Sequence, residues 1–354
     1  MRSIKHIPQQ FIQDRHEYDP EELSQLYGVK KRTIRKWKQA LREHYGFDVK
    51  PLPAHDIPVE KLIEHRINQF NVKHVYEQAE KLIPVKILKD GPIGIAHFGD
   101  PHVDDDGTDL KMLMDHSNIV ANTEGMYGGN VGDLQNNWIG RLSRLYGEQS
   151  TSAQESWRLT EHFIGLVPWL YLVGGNHDCW SGSGDPLDWM VGRSMTRFNN
   201  HRVRLNLIFP NGKEVRINAR HNFKGNSMYN TAHGITKAIM QGWKDHILCA
   251  GHTHVSGYQV LKDPMSGLIS HAVQCASYKI HDRYAKELGL DDKSIFVCPV
   301  TIIDPQYDDN DPRLVTTIFD TEEGADYLTW KRSKKKWLNH QLGKEKKENL
   351  LVEV

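Results

Sequence analysis

Short apolar runs that end in glycine, aspartate or asparagine alternate with helical patterns through the central part of the chain. Such runs, bounded by turn residues, predict buried strands. The predicted strands cover residues 93–98, 129–131, 170–173, 215–219 and 247–250. Because strands that alternate with helices form layered structures, we expect an α/β domain over residues 93–330.

The stretch before this domain has a helical period. Apolar residues recur near helical spacing from Val59 to Leu82, which predicts one amphipathic helix that Pro84 ends. Three prolines between residues 51 and 58 precede this helix and are typical of a linker. We therefore assign residues 51–92 to a linker with one amphipathic helix.

Composition agrees with a globular chain of more than one domain. The protein has 354 residues, 38% of them hydrophobic, and a mean hydropathy of −0.60. The longest mostly apolar stretch, residues 163–173, is too short to span a bilayer and contains Pro168, so we expect no membrane partner. Residues 1–6 lead into no apolar segment, and the four cysteines are far apart along the chain. We therefore expect a reducing, cytoplasmic location, in a host cell if a phage encodes the protein.

Charge is distributed unevenly although the net charge is zero. Residues 1–50 carry 11 basic and 7 acidic side chains, and residues 331–354, a predicted basic tail, carry 8 and 3. The two ends are therefore +4 and +5, which leaves −9 for residues 51–330. Basic ends on an acidic centre favour polyanion contacts at the ends and cations in the centre, with ordinary solvated faces as the alternative.

The first basic segment, residues 1–50, has the pattern of a helix-turn-helix. Asp19 and Pro20 begin a short helix, Gly28 makes a turn, and a basic helix follows with Ile34 and Trp37 on its apolar face. The segment resembles the helix-turn-helix of transposases and phage small terminase subunits, which implies DNA as a partner. The predicted DNA contacts are Lys31, Arg32, Arg35 and Lys36. The alternative is a helical hairpin that only docks on the catalytic domain.

Histidines, carboxylates and one asparagine follow the predicted strands. These residues are Asp100, His102, Asp133, Asn176, His177, Asp178, His221, His252 and His254. Groups at the carboxyl ends of strands in a layered α/β fold point into a common crevice. Imidazole, carboxylate and amide oxygen are ligands of divalent first-row metals, so the sequence predicts a metal site.

Together these motifs resemble those of the calcineurin-like metallophosphoesterase superfamily, from about residue 93 to residue 320. The resemblance implies a four-layer sandwich of two mixed β-sheets flanked by helices, beside the small all-α amino-terminal domain. It also implies two divalent cations, for which we expect Mn²⁺ although iron, nickel or zinc would be compatible. The implied ligands are Asp100, His102 and His254 for one cation, Asn176, His221 and His252 for the other, and Asp133 as the bridge.

Further roles depend on the same resemblance. His177 would contact the phosphate or protonate the leaving group, and Asp178 would orient His177 or, equally, only cap a turn. His233 is an alternative to His221 as a ligand, although it falls in a helix-like run. Three further carboxylates at residues 104–106 favour an acidic, solvated loop over a third metal site.

Two stretches of the sequence bear on the substrate. The stretch 132–137 lacks the Asp-Arg-Gly of the superfamily's protein phosphatases, and Gly-Asn-His-Asp at 175–178 is closer to its nucleases and phosphodiesterases. Aromatic and arginine side chains follow, of which Trp138, Arg141 and Arg144 would contact nucleic acid unless they belong to a packed amphipathic helix.

We therefore expect a two-metal phosphodiesterase or nuclease, from a phage or mobile element, that cleaves DNA by attack of a hydroxide bridging the metals. One alternative is a phosphomonoesterase or a cyclic- or small-nucleotide phosphodiesterase. The other is a DNA-binding packaging or regulatory protein with a vestigial site. The sequence leaves open the choice of metal, endonuclease or exonuclease action, DNA or RNA, and whether the chain forms a homo-oligomer.

Overall fold

The computed structural model describes residues 4, 6–46, 57–138, 140–178, 186–192, 197–281 and 294–334. Contacts divide the chain into two compact units, Met1–Tyr76 and Glu77–Val354. The division falls within the stretch that the sequence marks as linker and amphipathic helix.

Three helices form the first part of the amino-terminal unit: α1 (Phe11–Glu17), α2 (Pro20–Leu26) and α3 (Lys31–Tyr45). The helix start predicted at Asp19 and Pro20 is confirmed. The Asp19 carboxylate accepts hydrogen bonds from the first-turn amides of α2, and the Glu22 carboxylate accepts one from the Asp19 amide. This reciprocal cap satisfies donors that would otherwise lack partners at the helix start.

Aromatic rings hold the three helices together. Phe11 on α1 meets Tyr27 and Trp37 edge to face, with ring centroids 5.4 and 5.0 Å apart. The predicted apolar face of α3 is buried in this cluster, while α1 is an element that the sequence pattern did not predict. The other buried members are Ile7, Leu23, Ile34, Ala40 and Leu41.

The predicted helix after the linker is α4 (Val59–Ala79). Each of its residues is exposed, including apolar side chains such as Phe70 and Val75. The helix ends five residues before Pro84, which lies instead in an edge strand, where a missing amide donor costs nothing.

Among the described residues of the second unit, twelve strands form two mixed six-stranded sheets. The first sheet has the order β1-β6-β7-β8-β10-β9 and the second has the order β12-β11-β2-β3-β4-β5. The strands are β1 (Ile83–Lys86), β2 (Ile93–Phe98), β3 (Met126–Asn130), β4 (Trp169–Gly174), β5 (Arg197–Asn200), β6 (Arg202–Ile208), β7 (Glu214–Arg220), β8 (Ile247–Ala250), β9 (Gly257–Lys262), β10 (Ile269–Gln274), β11 (Val300–Ile303) and β12 (Val315–Ile318). All five predicted strands are present, and β1 extends the sheet region before residue 93.

Helices cover the outer faces of both sheets. An apolar core fills the space between the sheets, a second core joins the second sheet to its helices, and a third joins α8 to the first sheet. The helices are α5 (Leu110–Asn122), α6 (Ala153–Leu166), α7 (Pro186–Gly192), α8 (His233–Met240) and α9 (residues 321–334), with a 3₁₀ helix at Gly140–Glu148. This is the predicted four-layer α/β sandwich, with a separate all-α unit before it.

The carboxyl-terminal tail begins as part of the fold. Arg332, on α9, is buried and donates to the Pro92 carbonyl and the Glu124 carboxylate. Residues 335–354, the remainder of the predicted basic tail, lie outside the described residues. Among the helices that the structure describes, none combines the length and apolar character needed to cross a bilayer.

Candidate metal centre

The predicted ligands lie where five strands end. Asp100 and His102 follow β2, Asp133 follows β3, and Asn176 follows β4, and these three strands are parallel neighbours in the second sheet. The remaining ligands follow two parallel neighbours in the first sheet: His221 after β7, His252 and His254 after β8. The two sheets therefore present their strand ends to one site.

The backbone of the ligand loops has an unusual conformation. Seven non-glycine residues in the described part of the chain have positive φ angles, and five of them are predicted ligands. These five are Asp100, His102, Asp133, His252 and His254. Such conformations cost about 1–3 kcal/mol each and persist where the surrounding structure imposes them, so their concentration here is typical of a functional site.

Glycines allow these loops to approach one another closely. A side-chain carbon on Gly251 would overlap the Asp100 carboxylate, and one on Gly132 would overlap the His221 ring. At Gly175 it would meet both the Asp133 carboxylate and the Asp133 amide nitrogen. The glycine in each motif is therefore required because a ligand from another motif occupies the space of its absent Cβ.

The first ligand group joins β2 and β8 to Asp133. The Nε2 atoms of His102 and His254 are 3.2 Å apart, and His102 Nε2 is 3.9 Å from Asp133 Oδ2. Asp100 Oδ2 lies 3.8 Å from His254 Nε2. His102, Asp133 and His254 together can reach one ion.

The second group shares Asp133. His221 Nε2 lies 2.8 Å from Asn176 Oδ1, 3.0 Å from His252 Nδ1 and 3.3 Å from Asp133 Oδ2. Ligands bound at about 2.0–2.2 Å and at angles near tetrahedral or square lie about 2.9–3.5 Å from one another. The observed spacings correspond to ligands of one ion, and Asp133 belongs to both groups.

The donor atoms in the site fit bound cations. Asp100 Oδ1 is buried and has no hydrogen-bond partner in the described part of the chain. In each group two imidazole nitrogens lie close to each other, as they would if both bound the same cation. With carboxylates and an amide oxygen beside them, these donors fit divalent first-row metals.

Burial and charge shift the titration of the ligands. Burial, together with the nearby charge of Asp133, raises the pKa of Asp100 to about 7. Burial lowers the pKa of His102 well below its usual range, which keeps the imidazole in the neutral form that binds metals. Burial alone would raise the pKa of Asp133, but the charge and hydrogen bond of His221, with the charge of His102, hold it well below its usual range.

The charge of Asp133 also shifts the pKa of His221, in the upward direction. Burial tends to lower the pKa of His221, but the charge and hydrogen bond of Asp133 raise it to about 9. A cation that binds both side chains must therefore displace a proton from His221.

His177 lies at the edge of the ligand groups, with its ring centroid 5.1 Å from that of His102. Its amide donates to Asp133 Oδ1 at 2.9 Å, and its Nδ1 contacts the Asn136 carbonyl oxygen. Because a carbonyl only accepts, Nδ1 carries the proton and Nε2 is left as the atom that can act on a ligand.

Asp178 is buried beneath this loop. Its carboxylate accepts from the Gly175 amide at 2.7 Å and from the Leu134 amide at 3.1 Å. This is a turn-stabilising arrangement, one of the two roles considered for it. The carbonyl that orients His177 belongs to Asn136, and no residue-type pattern could have indicated a backbone contact. A direct catalytic role for Asp178 stays a prediction.

The three neighbouring carboxylates do not form the solvated loop that we expected. Asp104 is buried and accepts from the Asn136 amide at 2.7 Å and from Gln149 at 3.1 Å. Asp105 pairs with Lys279 at 2.9 Å, and only Asp106 is exposed. The first two carboxylates anchor the segment that follows Asp133, because its free amides need buried acceptors.

The aromatic and arginine side chains after Asp133 differ in their exposure to solvent. Trp138 is buried, donates to Gln149 at 2.8 Å and lies edge-on to His177, with ring centroids 5.2 Å apart. It therefore forms a wall of the site and offers no open face to a base. Arg144 is exposed, and the side chain of Arg141 lies outside the described residues.

The remaining predicted residues are placed clearly. His221 lies in the second ligand group, whereas the alternative, His233, is the first residue of α8. The predicted DNA contacts Lys31, Arg32, Arg35 and Lys36 are exposed on α3, and Lys31 pairs with Glu21.

No family model matches the sequence, and no curated protein matches it significantly. Among solved structures, the chain is similar to Vps29 from Chaetomium thermophilum, with 12% identity, a TM-score of 0.30, and coverage of 64% of this chain and 92% of that one. It is also similar to a hypothetical protein from Thermus thermophilus, with 10% identity, a TM-score of 0.34, and coverage of 64% and 98%.

Proposed function

We propose that the protein is a phosphodiesterase that uses two divalent cations and acts on DNA. The observation that carries the proposal is the pair of ligand groups that share Asp133, each of which can reach one ion. The positive φ angles of five ligands support it, because strained loops of this kind hold functional groups in place.

Seven side chains would hold the cations, in the two sets that the sequence motifs imply. Two cations in such a site acidify a water molecule and neutralise the charge of a phosphate. Asp133 joins the two groups, and its amide partner His177 is fixed to it by the hydrogen bond to Oδ1. A phosphodiester between the ligand groups would therefore lie beside the His177 ring.

His177 is the proposed proton donor to the leaving oxygen. Its Nδ1 proton is committed to the Asn136 carbonyl, so Nε2 is the atom that would bind the substrate. Trp138 packs against the ring and limits its rotation. An alkoxide leaving group needs a proton, which Nε2 would donate from the doubly protonated imidazolium of His177 while the Nδ1 proton stays on the Asn136 carbonyl.

DNA as the substrate rests on the amino-terminal unit. Four basic side chains are exposed on α3, and the opposite face of that helix is buried against α1 and α2. A basic helix presented in this way can lie in the major groove and bind phosphates. A unit of this kind in the same chain as a phosphoester site favours DNA as the substrate.

The decisive experiment measures hydrolysis in the presence of Mn²⁺. The substrates are bis-(p-nitrophenyl) phosphate, p-nitrophenyl phosphate, and linear, circular, single- and double-stranded DNA. Asp133→Asn should abolish every activity, whereas Asp115→Asn, a change of the same type at an exposed position on α5, should retain it. Hydrolysis of the monoester alone would refute a phosphodiesterase, and hydrolysis of the diester without cleavage of any DNA would refute the DNA substrate.

A separate measurement tests the role of α3. Each phosphate contact contributes about 0.9 to the slope of log affinity against log salt. Replacing Arg32, Arg35 and Lys36 with glutamine should therefore weaken duplex binding and reduce that slope by about 2–3. Lys244→Gln, at an exposed position in the second unit, is the matched control. An unchanged slope in the triple variant would show that α3 does not bind DNA.

A further inference from the structure

A basic cavity lies on the outer face of the first sheet, outside the metal centre. Its volume is about 200 Å³, and β6, β7 and the segment after α8 provide most of its lining. The lining includes Lys81, Arg202, Arg204, Asn218, Arg220 and Trp243. Of the ten lining side chains, four are cationic and one, Glu80, is anionic, although residues 51–330 carry a net charge of −9.

Arg220 is held rigidly in this cavity. Its guanidinium carbon lies 4.4 Å from the centroid of the Trp243 ring and 4.7 Å from that of Phe223. Its Nε donates to Asn218 Oδ1 at 3.1 Å. Two aromatic contacts and this hydrogen bond fix the plane of the guanidinium before any ligand arrives.

The terminal nitrogens of Arg220 have no carboxylate partner among the described residues. The buried Asp245 carboxylate is occupied by Arg204, at 2.7 Å, and by Arg216, at 3.2 Å. Arg202 pairs with Glu77 at the surface. Arg220 is therefore the arginine of this cavity whose donors remain available for an anion.

Pairing in the sheet adds to the repulsion at this position. Arg202 and Arg220 lie directly opposite each other on β6 and β7. Like charges in such a pair destabilise a sheet.

The cavity is also close to the metal centre along the chain. Arg220 is the last residue of β7, and the next residue is the predicted ligand His221. Successive side chains of a strand point to opposite faces of the sheet, so Arg220 and His221 lie on opposite faces at the carboxyl end of β7. A strand of nucleic acid with one phosphate at the ligands can pass over this edge and bring another phosphate to Arg220.

We propose that this cavity binds a non-scissile phosphate of the same nucleic-acid strand whose scissile phosphate lies at the metal centre, with Arg220 as the principal contact. The inference rests on the proposed phosphodiesterase function. A planar guanidinium binds two phosphate oxygens at once, which makes the contact strong and directional. The site would therefore favour oligonucleotides over substrates with a single phosphate.

The test compares two substrates of the Mn²⁺-loaded full-length protein. Octathymidylate can fill both positions, whereas the dinucleoside monophosphate TpT has one phosphate and cannot. In Arg220→Gln, the ratio of kcat/KM for octathymidylate to kcat/KM for TpT should fall about tenfold. In Arg220→Lys, which retains the charge but loses the planar fork, it should fall by a smaller factor. A ratio is independent of the fraction of protein that is folded.

Arg313→Gln is the matched control, because Arg313 also stacks on an aromatic ring, Tyr307, and is exposed with its own partner Asp311. In Arg313→Gln the ratio of kcat/KM for octathymidylate to kcat/KM for TpT should equal that of the wild type. Anisotropy of labelled octathymidylate in EDTA adds a measurement without turnover, in which the Kd of Arg220→Gln should rise about tenfold.

The outcomes separate the two proposals. If octathymidylate and TpT are cleaved and Arg220→Gln behaves like the control, the cavity proposal is wrong and the phosphodiesterase proposal stands. If bis-(p-nitrophenyl) phosphate is hydrolysed but neither nucleotide substrate is cleaved, the DNA substrate is wrong and the cavity proposal falls with it.

Discussion

Replacing Gly175 with alanine should damage the metal centre although no ligand is itself replaced. The new Cβ would lie 2.5 Å from the Asp133 amide nitrogen, whereas ordinary contact begins at 3.4 Å. It would overlap the Asp133 carboxylate as well. Because one of these obstacles is backbone, a side-chain rotation cannot relieve the overlap, and the Asp133 loop must move by about 0.9 Å.

This displacement is large compared with the tolerance of a metal site. Ligand distances are held within about 0.2 Å, so a bridging carboxylate that moves several times as far binds neither cation well. Changes that disturb ligand position from behind typically cost about 10–100-fold in metal affinity. Overpacking a buried site adds about 1–3 kcal/mol of destabilisation, which lowers Tm by about 2–8 °C in a unit of this size.

Calorimetric titration with Mn²⁺ and a thermal melt of the metal-free protein measure the two effects. Gly165→Ala is the matched control, because its Cβ would meet no atom within 4 Å and it lies in α6. That change should leave metal affinity alone and, if anything, stabilise the helix by about 0.4–1 kcal/mol. Mn²⁺ affinity and Tm in Gly175→Ala that match those of Gly165→Ala would refute the close packing of the ligand loops.

Three further predictions concern the buried polar network, proton release and the amino-terminal unit. Tyr171→Phe removes the hydroxyl that lies 2.8 Å from buried His97 Nδ1. Urea titrations should show that the free energy of unfolding falls by about 1–3 kcal/mol. A loss below about 0.5 kcal/mol would count against the hydrogen bond between Tyr171 and His97. Since Asp133 raises the pKa of His221 to about 9, above an unfolded value near 6.5, His221 stabilises the metal-free protein below pH 6.5 and this stability is lost as pH rises through 9. For the same reason Mn²⁺ affinity should rise about tenfold per pH unit between pH 7 and 9, and a flat calorimetric profile would contradict this. Trp37→Ala should lower the free energy of unfolding of the first unit by about 3–5 kcal/mol, which is enough to unfold so small a unit. Duplex binding should then be lost, while Mn²⁺-dependent hydrolysis of bis-(p-nitrophenyl) phosphate persists. Retained duplex binding would refute the packing role of Trp37.

Local patterns were sufficient for the α/β class of the second unit and for five of its twelve described strands. Each apolar run that predicted a strand is a strand, because a run bounded by glycine or aspartate can be buried on both faces and then must turn. Asp19 and Pro20 likewise indicated the start of α2, since capping depends on neighbouring residues alone. Helix α1 was not predicted, because its burial depends on partners in α2 and α3.

The sequence by itself determined which residues can bind metals and at which strand ends they lie, because residue type and strand period are local properties. Only the tertiary structure decided how they meet: that Asp133 belongs to two ligand groups, that the Asn136 carbonyl orients His177, and that Asp104 is buried. It alone placed Arg220 between two rings that follow it in the chain. Such contacts join atoms far apart in sequence or belong to the backbone, which every residue shares, so no residue pattern can specify them in advance.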